Sequence, residues 1–149
     1  EAMLVRIKPD RVLTPAEETR TVMQWIGSNR KAVQKVEWQG GWAAARFREF
    51  GRFQLVTDTT PPVITPLGLT DGDNLKNATR IIFTVKDNLG SIKKVRAELD
   101  GKWLRFTNDK GGSFIYRFDE HCPPGGHTLR IMAEDEAGNR AERIIRFVR

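Results

Sequence analysis

Through the second half of this chain, apolar and polar residues alternate in short runs, and each run stops at residues that favour a turn. Spacing of two puts alternate side chains on opposite faces of an extended strand, so the pattern selects sheet over helix. The runs are VITPL, RIIFTV (80–85), KKVRAELD (93–100), 102–107, SFIYRFD (113–119), HTLRIMAED and AERIIRFVR. Asp100-Gly101 is a two-residue hairpin signal, because both positions favour positive φ. NDKGG, 123–126 and EAGN supply further turns. Seven runs in about ninety residues, with turns roughly every eight to twelve, predict two antiparallel sheets packed as a sandwich.

The first half shows the same spacing less cleanly. Val33, Val36 and Trp38 form one run, which Gly40-Gly41 punctuates. Trp42, Ala44 and Phe47 follow, then Phe53, Leu55 and Val56. Thr14, Pro15 and Glu17 carry the pattern of a helix start, with N-cap, N1 and N3 residues in place. TVMQWI is rich in strand formers, however, and a loop leading into a strand is the reading preferred for this stretch. At DTTPP two prolines forbid ladder donation and fix the chain as extended, which reads as a linker. The expected fold is therefore all-β: a small β-rich domain over 1–58, then an immunoglobulin-like β-sandwich over 59–149.

The chain has 149 residues, 39% hydrophobic and 30% charged, which suits a globular protein with a real core. No apolar stretch approaches the roughly 20 residues of a membrane helix. The chain opens on the strand-like MLVRIKP with no basic-then-apolar leader, and a fragment of something longer is expected. Its formal charge is +6. The basic residues are spread among apolar ones (RFREFGRF, RIIRFVR) as on the solvent face of strands, and no nucleic-acid partner is expected.

Four stretches carry a resemblance: DTTPPVI (58–64), DNLGSI (87–92), ELDGKWL (98–104) and GGHTLRIMAEDEAGN (125–139). They resemble bacterial immunoglobulin-like repeats of envelope and extracellular proteins. More narrowly, residues 51–149 look like the accessory region that follows the catalytic domain in some lysostaphin-type zinc endopeptidases of Gram-negative bacteria. There a GRFQLVTD-like strand leads into the DTTPPVI linker, as at 51–64 here. The resemblance implies a periplasmic or cell-surface module whose partners are neighbouring domains of the same polypeptide. That family holds zinc through HxxxD and HxH segments. Neither occurs here, where the histidines are His121 and His127, so the resemblance implies that the catalytic domain is not part of this sequence.

Three groups of residues are weighed for chemistry. Asp135, Gly138 and Asn139 read first as a hairpin turn. Asp58, Asp87 and Asp135 would make a calcium site if the strand ends bring them together, since calcium wants six to eight oxygens. No DxDxDG loop is present, and TDGDN has two acids. Cys122 is the single cysteine; with His121 and His127 nearby it lacks both a nucleophile's setting and a fourth zinc ligand. A thiol packing a loop is the better reading. Trp38, Trp42 and Trp103 are the candidate ligand-binding residues, because flat rings stack on sugars, although most aromatics in such strands are core or interface anchors. No cofactor and no enzymatic activity are expected of these residues. The expected role is a non-catalytic accessory or scaffolding module, with a carbohydrate- or peptidoglycan-binding module as the alternative and self-association as a further possibility for the aromatic strands.

Overall fold

The computed structural model describes residues 1–109 and 111–149. Lys110, at the centre of the expected NDKGG turn, lies outside the described residues. The chain divides into two compact units. One comprises Glu1–Thr60 together with Asn88–Ser91 and Asp135–Asn139; the other comprises Pro61–Asp87, Ile92–Glu134 and Arg140–Arg149. Among the described residues no helix is long and apolar enough to cross a membrane.

The first unit contains β1 (Met3–Ile7), α1 (Pro15–Arg20), β2 (Thr21–Ile26), β3 (Lys31–Lys35), β4 (Glu37–Gln39), β5 (Trp42–Phe47) and β6 (Arg52–Thr57). They form two three-stranded sheets, ordered β1-β5-β4 and β3-β2-β6. Alternation explains their shared core. Met23 and Trp25 from β2 meet Ala43, Ala45 and Phe47 from β5, with Val5, Phe53 and Leu55 packed at the margin. Trp25 lies over two glycines, and a Cβ on Gly27 would fall 2.6 Å from its Cη2. Its Nε1 donates to the Phe50 carbonyl at 3.2 Å.

The loop preferred for residues 14–20 is corrected by α1. Thr14 accepts from the Glu17 N–H at 3.2 Å while the Glu17 carboxylate accepts from the Thr14 N–H at 2.8 Å. This reciprocal box stabilises a first turn that the strand-forming TVMQWI does not reach. The Arg11 guanidinium hydrogen-bonds Glu17 and holds its carboxyl down to about 2. Extended Thr21 then ends the helix and begins β2, so both signals are honoured in turn.

The second unit contains β7 (Val63–Leu67), β8 (Asp73–Asn74), β9 (Arg80–Lys86), β10 (Ile92–Leu99), β11 (Lys102–Trp103), β12 (Thr107–Asn108), β13 (Ser113–Arg117), β14 (Gly126–Asp135) and β15 (Arg140–Val148). They form a sandwich with sheets β11-β10-β14-β15-β8 and β12-β13-β9-β7. Along β9, Ile81, Phe83 and Val85 are buried while Ile82 and Thr84 are half-buried, the period-two pattern expected of RIIFTV. Phe83 stacks on Phe114 with ring centroids 5.0 Å apart, and Leu129, Ile131, Ile145 and Phe147 face it across the core. Asp100 and Gly101 both have positive φ, 51° and 80°, as the hairpin between β10 and β11 requires. On the solvent side, Arg130 pairs with Glu142 and Arg140 with Glu134 across the β14–β15 ladder. Arg130 and Arg140, two of the spread basic residues, are thus cross-strand partners of acids.

Candidate functional site

Asp135 closes β14, and its backbone makes the turn that the sequence signals: Gly138 donates to the Asp135 carbonyl at 3.1 Å. The Asp135 side chain does more. Its Oδ1 accepts from the Asn139 N–H at 2.8 Å and its Oδ2 from Asn139 Nδ2 at 2.9 Å. The same Nδ2 donates to the Asp58 carbonyl at 2.9 Å. Asp58 Oδ1 in turn accepts from the Thr60 N–H and from Asn88 Nδ2, each at 3.0 Å. Asp58 and Asp135 are 4% and 1% exposed. Asp87, covalently next to Asn88, completes the set: Asp58, Asp87 and Asp135 each offer a carboxylate oxygen, all within 4.8 Å of one another.

Like charges brought this close repel one another. Amide donors reduce that repulsion but carry no full charge. A hard cation with oxygen ligands answers the charge directly, and carboxylates are what calcium or magnesium would take. The structure therefore brings together the three acids that the sequence scattered over three turns. It also adds Asn88, which sequence reasoning missed, and gives Asn139, read from the sequence as a turn residue, a side chain that bridges Asp135 and Asp58. Asn88 sits beside Asp87 in a DN turn pair, the one local signal that could have found it.

The tryptophans part company. Trp38 pairs with Ala43 and Trp42 with Gln39 across β4 and β5, so the two rings project from opposite faces of their sheet. Trp38 and Trp42, both candidates for stacking on a ligand, therefore do not share a face. Trp38 is packed against the core, with Nε1 donating to the Glu18 carbonyl at 3.3 Å. Trp42 is 39% exposed and lies beneath the Arg6 guanidinium, 5.5 Å from the ring centre. Trp103 is the most open of the three at 61%. It borders a groove of about 560 Å³ on the sandwich, where Arg105 and Arg117 lie beside it. Sequence reasoning named Trp103 but neither arginine, because Arg105 lies in the β11–β12 connection and Arg117 on β13, with no motif joining them.

Cys122 is fully buried, and burial first of all pushes its thiol up, away from the thiolate that chemistry would need. It belongs to the sandwich core that also holds Leu129 and Phe147.

Residues 66–148 match the profile of the bacterial Ig-like domain. This chain belongs to that family. The bacterial Ig-like domain is the all-β sandwich described above, preceded here by the smaller β unit. No curated protein matches the sequence. Among solved structures, an endo-beta-1,4-mannanase from Thermotoga petrophila aligns with a TM-score of 0.50 and 15% identity over 61% of this chain. The match spans 20% of the mannanase, so the aligned part corresponds to a fifth of that enzyme's length. An adhesin of Streptococcus sanguinis aligns at TM-score 0.42 and 22% identity over 61% of this chain and 59% of its own. Fibronectin(III)-like modules of Clostridium thermocellum align at TM-score 0.43 and 12% identity, over 97% of this chain and 84% of theirs.

Proposed function

We propose that this bacterial Ig-like chain is a non-catalytic accessory module of a secreted or envelope protein, which holds a neighbouring domain near its insoluble substrate. The observation that carries the reading is the family match over 66–148, with the mannanase alignment showing the same fold as a minor part of a much longer chain. The DTTPPVI resemblance adds the finer proposal that the neighbour is a cell-wall endopeptidase in the periplasm or at the cell surface. Tethering raises the effective concentration of a domain at its substrate without adding chemistry. Deleting the module from the full-length polypeptide should leave turnover of a small soluble substrate unchanged and slow attack on insoluble wall by about tenfold or more. Equal losses on both substrates would make the module part of the catalytic unit and end this reading.

A second reading is favoured by the gathering of Asp58, Asp87 and Asp135: calcium binds there and ties the loops at 58–60, 87–91 and 135–139 together. The remaining ligands would be backbone carbonyls and water, bringing the total to the six to eight that calcium takes. Binding to the folded chain alone stabilises by about 2.7 kcal/mol at a hundredfold excess over Kd. Calorimetric titration should show one saturable calcium site, with the melting temperature raised by calcium and lowered again by chelator. Asp87→Asn should lose both effects while folding normally. A chain whose melting ignores millimolar calcium would leave the three carboxylates as turn caps.

A further inference from the structure

The groove beside Trp103 combines three features that the accessory role does not use. Its rim carries an indole that is 61% exposed and stacks on no other ring among the described residues. An indole face left open in this way is free to stack on a flat ligand ring. Arg105 and Arg117 line the same groove, and neither forms an ion pair among the described residues. Asp119 is the one acid there, and its charge is already engaged. It accepts from the Tyr116 hydroxyl, from the His121 N–H at 3.0 Å and from the His121 ring at 3.2 Å. The Tyr116 hydrogen bond, more than any other contact, holds the Asp119 carboxyl below its usual range. What remains is a flat ring next to two forked cations.

We propose that this groove binds a carboxylate-bearing polysaccharide, with a pyranose ring stacked on Trp103 and a sugar carboxylate held by Arg105 and Arg117. Guanidinium forks match carboxylates in a bidentate geometry that lysines do not offer. A polypeptide strand is the competing occupant, and sheet pairing argues against it. The β13 edge that faces the groove is already taken at Phe114 and Ile115 by Asn108 and Thr107 of β12. An added peptide strand would find only a short stretch of free ladder, whereas peptide binding at a sheet edge draws its affinity from main-chain hydrogen bonds. A glycan needs none. The site lies wholly within the sandwich and stands or falls independently of the accessory role and of calcium.

The test is affinity electrophoresis of the 149-residue chain at physiological salt. Polygalacturonate is the probe, with its methyl ester as the uncharged counterpart and polyglutamate as the acidic peptide. Polygalacturonate should retard the chain and the ester should not. Trp103→Ala should weaken retardation by about tenfold or more, as should the double variant Arg105→Gln, Arg117→Gln. Lys93→Gln with Lys94→Gln removes the same charge from outside the groove and should leave retardation intact. Circular dichroism melts on each variant establish that it is folded. Absence of retardation, equal weakening by both double variants, indifference to Trp103→Ala, or equal binding of polyglutamate would each overturn the proposal.

Discussion

His127 sits between two acceptors. Its Nδ1 lies 2.6 Å from Asp100 Oδ2 and its Nε2 2.6 Å from the Pro123 carbonyl oxygen, with the ring 5.6 Å from that of Phe147. A neutral imidazole has one N–H, so both contacts are met together only by the imidazolium. Burial by itself lowers the His127 pKa and Arg149 opposes the charge, but the hydrogen bonds to Asp100 and Pro123 outweigh them and the net shift is upward. A folded-state pKa above the unfolded value of about 6.5 gives stability that is complete below that pH and is lost as pH rises through the folded value. Asp100 shifts the other way. Desolvation raises it, the bonds from His127 and the Thr128 N–H lower it further, and its contribution is lost only as pH falls through its depressed pKa. The clamp is therefore strongest between about pH 4 and 6.5. The melting temperature should fall between pH 6 and pH 9, and His127→Gln should flatten that dependence. A wild-type melt that is level over this range would show that the ring is neutral and one contact is unmet.

Elements divide by how local their causes are. Strands β9, β14 and β15 were legible because period-two alternation and adjacent turn residues agree. The Asp100-Gly101 hairpin was legible because backbone sterics alone select it. α1 was written in the sequence as a capping box, but six residues with no buried side chain leave no apolar stripe to set against the strand propensity of TVMQWI. The run from Val33 to Trp38 looked like one strand. It is two, since β3 and β4 belong to different sheets and buried Val36 marks the corner. Two-residue edge strands such as β8, β11 and β12 carry no periodicity and exist only because a neighbour pairs with them. The candidate sites follow the same division. Acids at three turns can be read from sequence; their approach to within 4.8 Å is tertiary. Trp38 and Trp42 look adjacent along the chain, yet ladder alternation sends them to opposite faces.

At the scale of the whole molecule, the first unit depends on parts of the chain that come after its own sheets. Asn88–Ser91 and Asp135–Asn139 belong to it, although both are turns between later strands. The bonds from Asn139 and Asn88 to Asp58 and from Arg20 to the Ala137 carbonyl, at 2.9, 3.0 and 3.2 Å, all run between these turns and residues 1–60. Ala137 is buried as well. A chain of some 60 residues hides only about 60% of its unfolded surface and is marginal even when intact. Losing hydrogen bonds worth about 0.5–3 kcal/mol each, the larger figure applying to charged groups, removes a sizeable share of the 5–15 kcal/mol typical of a domain. Residues 61–149 keep every member of the sandwich core, from Phe83 and Leu129 to Phe147. Expressed separately, 61–149 should therefore melt cooperatively, while 1–60 should show dispersed amide resonances only weakly or not at all. A 1–60 fragment as stable to urea as the same residues in the full chain would mean that the two turns contribute nothing to its fold, and that the first unit is self-sufficient.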